Sequence, residues 1–273
     1  MALLSVLGFT VCVWAQQRPL HTEDTDMLKQ GYIRAETGFE FLKDMKFPLS
    51  GLQGDLTRMA DTKLSIGLAP NVEFQIEWTP YTSLAIKKRN TSYIDLKFGQ
   101  NESHTSDVGD ATLWTKIKLL DESKGHPAFG FRLGVQLPNT DQSRGIGTNT
   151  TNVFGVVNIG KKFANHRLSV FGNIGIGIMQ APLVQFTQND VLLYGAAFTF
   201  KVSKVLSLYG EANGAHSTRK KAPVGTEDIS TARAGLQIKA AGLNWYAAAV
   251  IGLSDTAPKR GIAIGLRFDW HAF

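Results

Sequence analysis

The sequence predicts an all-β protein, a single up-and-down antiparallel transmembrane β-barrel of about twelve strands, and three observations carry that prediction. The final stretch, 261–268, puts Ile262, Ile264, Leu266 and Phe268 on one face of a strand and Gly261, Ala263, Gly265 and Arg267 on the other. Large apolar groups on one side, with small or charged groups opposite, suit a cylinder that has lipid outside and a crowded polar interior. Similar alternating segments recur along the chain, and the connections between them are alternately short and long. The 273 residues contain 43% apolar side chains but no apolar run of the length a membrane-spanning helix needs. The 27 glycines sit mostly inside apolar runs, where they weaken helices and mark close backbone approach in strands.

The chain divides into a signal peptide at 1–15, a periplasmic N-terminal segment at 16–31 and a barrel at 32–273. Ala2 to Val13 form a short apolar run that ends in Val13-Trp14-Ala15 before Gln16, a small-residue cleavage pattern. No basic residue precedes the apolar run, so the true start is expected upstream of Met1. Cys12, the one cysteine, lies in this segment, so the exported chain is expected to carry no thiol, disulfide or cysteine-rich metal site.

Twelve segments follow, each near the length a tilted membrane strand requires: 32–41, 56–69, 72–79, 110–120, 128–137, 152–161, 167–179, 191–202, 205–215, 229–240, 244–253 and 261–268. The links after the even-numbered ones are short, at 70–71, 121–127, 162–166, 203–204 and 241–243. Most of the others, 43–55, 80–109, 138–151, 180–190 and 216–228, are longer and rich in loop-forming residues. Short periplasmic turns alternating with long extracellular loops are the rhythm of a barrel in the outer membrane of a Gram-negative-type bacterium. A soluble β-sandwich has no reason to keep it.

Facing follows from alternation. Ile33, Ala35, Phe39 and Phe41 are expected toward lipid, with Arg34, Glu36 and Glu40 inward; Phe74, Ile76 and Trp78 oppose Glu73, Gln75 and Glu77. The same separation sets Lys116, Lys118, Arg132, Glu211, Arg233, Lys239 and Arg267 toward the interior. A charge facing the bilayer midplane costs roughly 2 to 4 kcal/mol, which enforces the sorting. The expected lumen-lining, solute-facing groups are therefore Arg34, Glu36, Glu73, Glu77, Lys116, Lys118, Arg132, Glu211, Arg233, Lys239 and Arg267. Their mixed signs admit two arrangements: separate charged walls that orient a solute, or pairs that close the interior. Segments 152–161 and 191–202 are apolar on both faces and mark an apolar interior patch, a plug, or loose patterning. Trp78, Tyr81, Phe98, Tyr209, Trp245, Tyr246, Phe268 and Trp270 fall near strand ends and suit aromatic girdles.

The stretch Val108-Gly-Asp-Ala-Thr-Leu-Trp-Thr-Lys-Ile-Lys-Leu-Leu120, followed by Phe129-Gly-Phe-Arg-Leu-Gly-Val-Gln-Leu-Pro-Asn139, resembles the central hairpin of the outer-membrane transporter family named for the meta-pathway of phenol degradation. The likeness is strongest over 108–160 and extends by strand rhythm to the C-terminus. It implies an outer-membrane barrel for uptake or efflux of small, often aromatic compounds, and it supplies no binding residues to carry over. Outer-membrane barrels commonly finish on an aromatic in register with the preceding apolar positions. Here Phe273 is out of that register, so Phe268 is expected to close the last strand, with 269–273 as a tail or bulged end.

A formal charge of +6 and a pI near 9.3 are spread along the chain rather than gathered in a basic tract, which argues against nucleic acid. The histidines fall in predicted loops, turns or tails without metal-ligand spacing, and only Ser103, His104 and Asp107 suggest a hydrolytic trio, with nothing to fix its geometry. The chain is therefore read as a non-enzyme without cofactor. Its expected partners are outer-membrane lipid, a small-molecule solute and, during biogenesis, the barrel assembly machinery; the sequence is silent on oligomeric state. The leading function is a passive channel or transporter for small solutes, aromatic ones included, with a mild preference for anions. The alternatives are a plugged structural barrel that binds a partner through its loops, and an exported soluble β protein.

Overall fold

The computed structural model describes residues 21–184 and 186–273; the expected signal peptide lies outside them. Fourteen strand segments run in chain order: β1 (Tyr32–Phe47), β2 (Leu52–Ala69), β3 (Val72–Trp78), β4 (Tyr81–Arg89), β5 (His104–Asp107), β6 (Thr112–Leu120), β7 (Ala128–Gln136), β8 (Asn152–Phe163), β9 (Leu168–Gln180), β10 (Gln188–Lys201), β11 (Leu206–Ser217), β12 (Ile229–Ala240), β13 (Leu243–Gly252) and β14 (Arg260–His271). They make twelve staves, because β3 and β4 lie end to end against β2, and β5 continues the line of β6. The break between β3 and β4 falls at Pro80, which has no N–H to give to a ladder. Gly109 N–H donates to Thr79 C=O across it at 2.7 Å.

Every neighbour is antiparallel, and the ring closes where β1 pairs with β14 from Tyr32↔His271 to Lys43↔Arg260. Closure removes the open edges that a sheet cannot leave unpaired in hydrocarbon. The outer face carries Phe39, Phe41, Leu133, Val135, Ile174, Ile176, Ile262 and Ile264, all exposed, whereas Glu36, Ser65, Gln75 and Asn158 on alternate positions are buried inside. Large apolar groups thus face outward and polar groups face one another inside, which is the sorting the alternation predicts.

Two expected loops are largely strand. The 43–55 link shrinks to the turn 48–51, with Gly51 at φ +69°, and the 80–109 link contains β4 and β5, leaving 90–103 as its loop. Their charges disguised them. Lys43, Lys87, Asp44 and Asp55 form a network on the outer face, with Lys43–Asp55 at 2.6 Å and Lys87–Asp55 at 2.5 Å. Charges beyond the hydrocarbon carry no lipid penalty, so alternation there need not be apolar. Register shifts at Gly38/Phe39 and Leu42/Met45, with Ala60 and Asp44 at positive φ, mark bulges in this hairpin.

At the other end β14 runs past Phe268 to His271, with Trp270 opposite Ile33 and stacked on Phe268 at 4.9 Å between ring centroids. Trp270, not Phe268, is thus the last outward aromatic, and the expected tail is mostly strand. Three residues assigned to the girdles belong elsewhere. Tyr209 and Tyr246 are buried, Tyr209 donating to Ala247 C=O at 2.7 Å, and Phe98 packs with Leu96 and Ile146 against the buried cluster of Leu42, Leu52, Leu56 and Leu84. That cluster sits under the loops at the long-loop end. Loops 90–103 and 137–151 fold over it, Lys97 N–H donating to Ser143 C=O at 3.1 Å and Ser50 Oγ to Gly145 C=O at 2.6 Å.

Candidate functional site

The interior is occupied by the chain itself. Residues 21–31, expected as part of a periplasmic segment, run inside the barrel, and Thr22 to Thr25 are buried. Glu211 on β11 accepts from the N–H groups of His21 and Thr22 at 2.9 and 2.8 Å; Glu73 on β3 accepts from Leu28 N–H at 2.8 Å. Asn173 on β9 reads the backbone at Glu23 twice, its Oδ1 accepting from the N–H at 2.6 Å and its Nδ2 donating to the C=O at 2.8 Å. The segment leaves the wall at Gly31, φ +80°, whose N–H donates to Gly67 C=O at 2.9 Å.

The centre of the site is Glu23. Its carboxylate takes Lys63 Nζ at 2.6 Å, Lys116 Nζ at 2.8 Å, Gln75 Nε2 at 3.0 Å and Arg132 Nη1 at 3.4 Å. These four donors stand on β2, β6, β3 and β7, four adjacent staves, so a single patch of wall builds the clamp. Lys116 also holds Asp24 at 3.3 Å and Asp26 C=O at 2.6 Å, and Lys162 pairs with Asp26 at 2.6 Å. Arg132 lies over the Trp114 ring, 4.0 Å from its centroid, and Trp114 stacks on Phe154 at 5.3 Å.

The eleven expected interior residues divide into groups. Lys116, Arg132, Glu73 and Glu211 hold the segment as described, and Glu77 buttresses the clamp, accepting from Arg132 at 3.0 Å and from Trp114 Nε1 at 3.2 Å. Arg233 pairs with Glu40 at 2.6 Å, and Arg34 makes a two-pronged pair with Asp269, both bonds 2.7 Å, across the closing seam. Glu36 and Arg267 are buried opposite each other in the β1–β14 register, and the Nε and Nη1 of Arg267 meet no hydrogen-bond acceptor. Lys118 and Lys239 are rim residues rather than interior ones: Lys118 pairs with Asp121 in a short turn at 3.0 Å, and Lys239 is exposed at the end of β12. Of the two charge arrangements the sequence admits, pairing predominates.

Several participants escaped alternation analysis. Trp114 faces inward on a strand whose other inward groups were read, Lys63 and Asn173 face inward on strands for which no facing was assigned, and Glu23, Asp24 and Asp26 lie in a segment placed outside the barrel. Thr22-Glu-Asp-Thr-Asp26 is an acidic run beside a chain whose interior positions are mostly basic, and that complementarity was the available signal. The two strands with weak alternation, β8 and β10, form much of the wall against which the segment lies. A β-carbon at Gly160 would stand 2.5 Å from Thr25 Oγ1, so this glycine makes room for the chain. Inward Val156 and Leu193 line what remains.

Two of the cavities beside the segment bear on function. One, of about 360 Å³, lies toward the long loops and is lined by His21, Thr22, Trp114, Arg132, Val156 and Leu193 among others. The second, about 640 Å³, opens at the short-turn rim; Lys161, Lys162, Lys201, Lys204, Lys239 and Arg267 line it against Asp24, Asp26 and Glu122. The proposed Ser103–His104–Asp107 trio does not assemble. Ser103 Oγ and His104 Nδ1 are 2.8 Å apart, but the Asp107 carboxylate accepts from the N–H groups of Val108 and Asp141.

No family model and no curated protein matches this chain. Among solved structures it is similar to an outer membrane channel from Pseudomonas putida F1, with a TM-score of 0.62 at 13% identity, over 90% of this chain and 98% of that one. The likeness shows an outer-membrane β-barrel fold. The translocator domain of the autotransporter NalP from Neisseria meningitidis scores 0.49 at 11% identity, over 89% of this chain and 90% of that one. The outer membrane channel DcaP of Acinetobacter baumannii scores 0.44 at 10% identity, over 88% and 96% respectively.

Proposed function

We propose that this protein is a passive outer-membrane channel for small solutes that prefers anions, aromatic carboxylates in particular, and that the short-turn rim faces the periplasm. The observation that carries this reading is the 640 Å³ vestibule, whose lining sets six basic side chains against three carboxylates. A water-filled mouth of one dominant sign raises the local concentration of the opposite ion and rejects its own. Similarity to a channel fold agrees with the reading. Export through a cleaved signal peptide at 1–15, delivery by the barrel assembly machinery and the link to phenolic compounds belong to the same proposal.

A second reading is a closed structural barrel that engages a partner through its loops. It is favoured by the segment lodged in the lumen and by loops 90–103 and 137–151 folded over the outer mouth. Planar-bilayer recording on the chain from Gln16 to Phe273 separates the two. Discrete conductance steps, a reversal potential on the anion side in a salt gradient and partial block by benzoate are expected of the channel. A folded barrel that carries no current in any condition supports the closed alternative, and clear cation preference overturns the assignment of solute class.

A further inference from the structure

The clamp around Glu23 is built as a site for a free ligand is built. Three cations and an amide from four neighbouring staves converge on one carboxylate, all within 3.4 Å and all buried. Yet the carboxylate comes from outside the wall, on a segment whose covalent link to it among the described residues runs through Gly31. If the segment withdraws, Lys63, Lys116 and Arg132 face Glu73 and Glu77 with a net positive charge. A group of that sign left inside the barrel without its counter-ion is strongly unfavourable. The vacated site therefore demands an anion, and charge-assisted, multiply hydrogen-bonded geometry selects a carboxylate.

The surroundings narrow the ligand further. Trp114 lies directly beneath the Arg132 guanidinium, backed by Phe154, and both Trp114 and Arg132 line the 360 Å³ cavity next to the clamp. Arg132 covers the Trp114 ring and Phe154 stacks on it, so a flat ring attached to the carboxylate would extend this stack over the Arg132 guanidinium. We propose that Lys63, Gln75, Lys116 and Arg132 form a binding site for an aromatic carboxylate, and that the protein's own Glu23 fills it as an internal competitor. The inference rests on the channel reading only for the source of the ligand.

The test uses the full exported chain folded in detergent micelles, with benzoate as the probe. In a Thr25→Cys variant the new thiol is the only one, since Cys12 lies ahead of Gln16, and Thr25 is buried. Benzoate should accelerate its reaction with a small neutral maleimide about tenfold, saturably, because binding shifts the segment to its released state. Benzyl alcohol, or sodium chloride at the same ionic strength, should change the rate less than about twofold. Equal acceleration by chloride would mean simple screening and overturn the proposal.

Titration calorimetry on Glu23→Gln, which keeps Thr25, supplies an independent arm. Removing the competitor should tighten benzoate binding about tenfold relative to the unaltered chain, and adding Lys116→Met should abolish the gain. No tightening in Glu23→Gln overturns the site. Conductance of the same preparation separates the two readings: tightening without current keeps the site and sinks the channel, whereas current without tightening keeps the channel and sinks the site.

Discussion

Thr22 occupies the space that a side chain on Gly195 would need: a β-carbon built there would stand 2.6 Å from Thr22 Oγ1. The glycine is in mid-strand, where it weakens the ladder relative to other residues. Its place is explained by the segment it accommodates. Gly195→Val should therefore leave the barrel folded while displacing residues 21–26. Limited proteolysis of the folded protein should cut the segment faster in the variant, with the heat-modifiable gel shift intact. Unchanged cleavage would show that the segment is not held by this wall.

The seam has its own test. The side chains of Arg34 and Asp269 are buried and joined by two bonds across β1 and β14, the strand pair that closes the ring. Asp269→Asn strands the guanidinium and should lower stability by about 3 to 5 kcal/mol. The readout is the temperature at which the folded band converts to the unfolded one in detergent gels. Arg34→Met combined with Asp269→Leu should recover most of the loss, since apolar replacement of a whole buried pair is often tolerated.

Depth in the membrane should be legible in stability. Ile264 faces outward in the middle of β14, and Ile251 faces outward at the loop end of β13. Lysine at 264 should cost about 2 to 4 kcal/mol and lysine at 251 about 0 to 1, by equilibrium unfolding in lipid vesicles. Equal penalties would mean that the apolar belt has been misplaced along the barrel axis.

Selectivity should reside at the short-turn rim. Replacing both Lys201 and Lys239 by Glu turns two of the six basic lining groups acidic. The reversal potential of the conducting protein should move toward the cation value, with the folded fraction unchanged. A null result would place the filter elsewhere.

Most of the wall could be read from alternation, because hydrocarbon imposes a period of two on every strand it touches. Leu133, Arg132 and Glu36 fell where the pattern put them. Legibility ended where lipid ended. Lys43 and Lys87 stand on strands above the apolar belt, and their charge made strand look like loop. Residues 21–31 obey no period at all: they make no ladder along their length, and their burial comes from single contacts such as Glu23 with Lys63. For the same reason Lys116 and Arg132 were recognised as inward-facing while their counter-ion was not. Complementary charge between distant segments has no fixed spacing in sequence.

The attachment at Gly31 sets a concentration scale. Glu23 is eight residues from that pivot, a reach of about 28 Å when extended, so it never diffuses far from Lys63 and Lys116. A ligand held on so short a leash acts at an effective concentration on the order of millimolar. Free carboxylate must rival that figure, weighted by its own affinity, before it takes the place of Glu23. A barrel regulated in this way ignores traces and responds to plenty, with its threshold written into the length of its N-terminal tether.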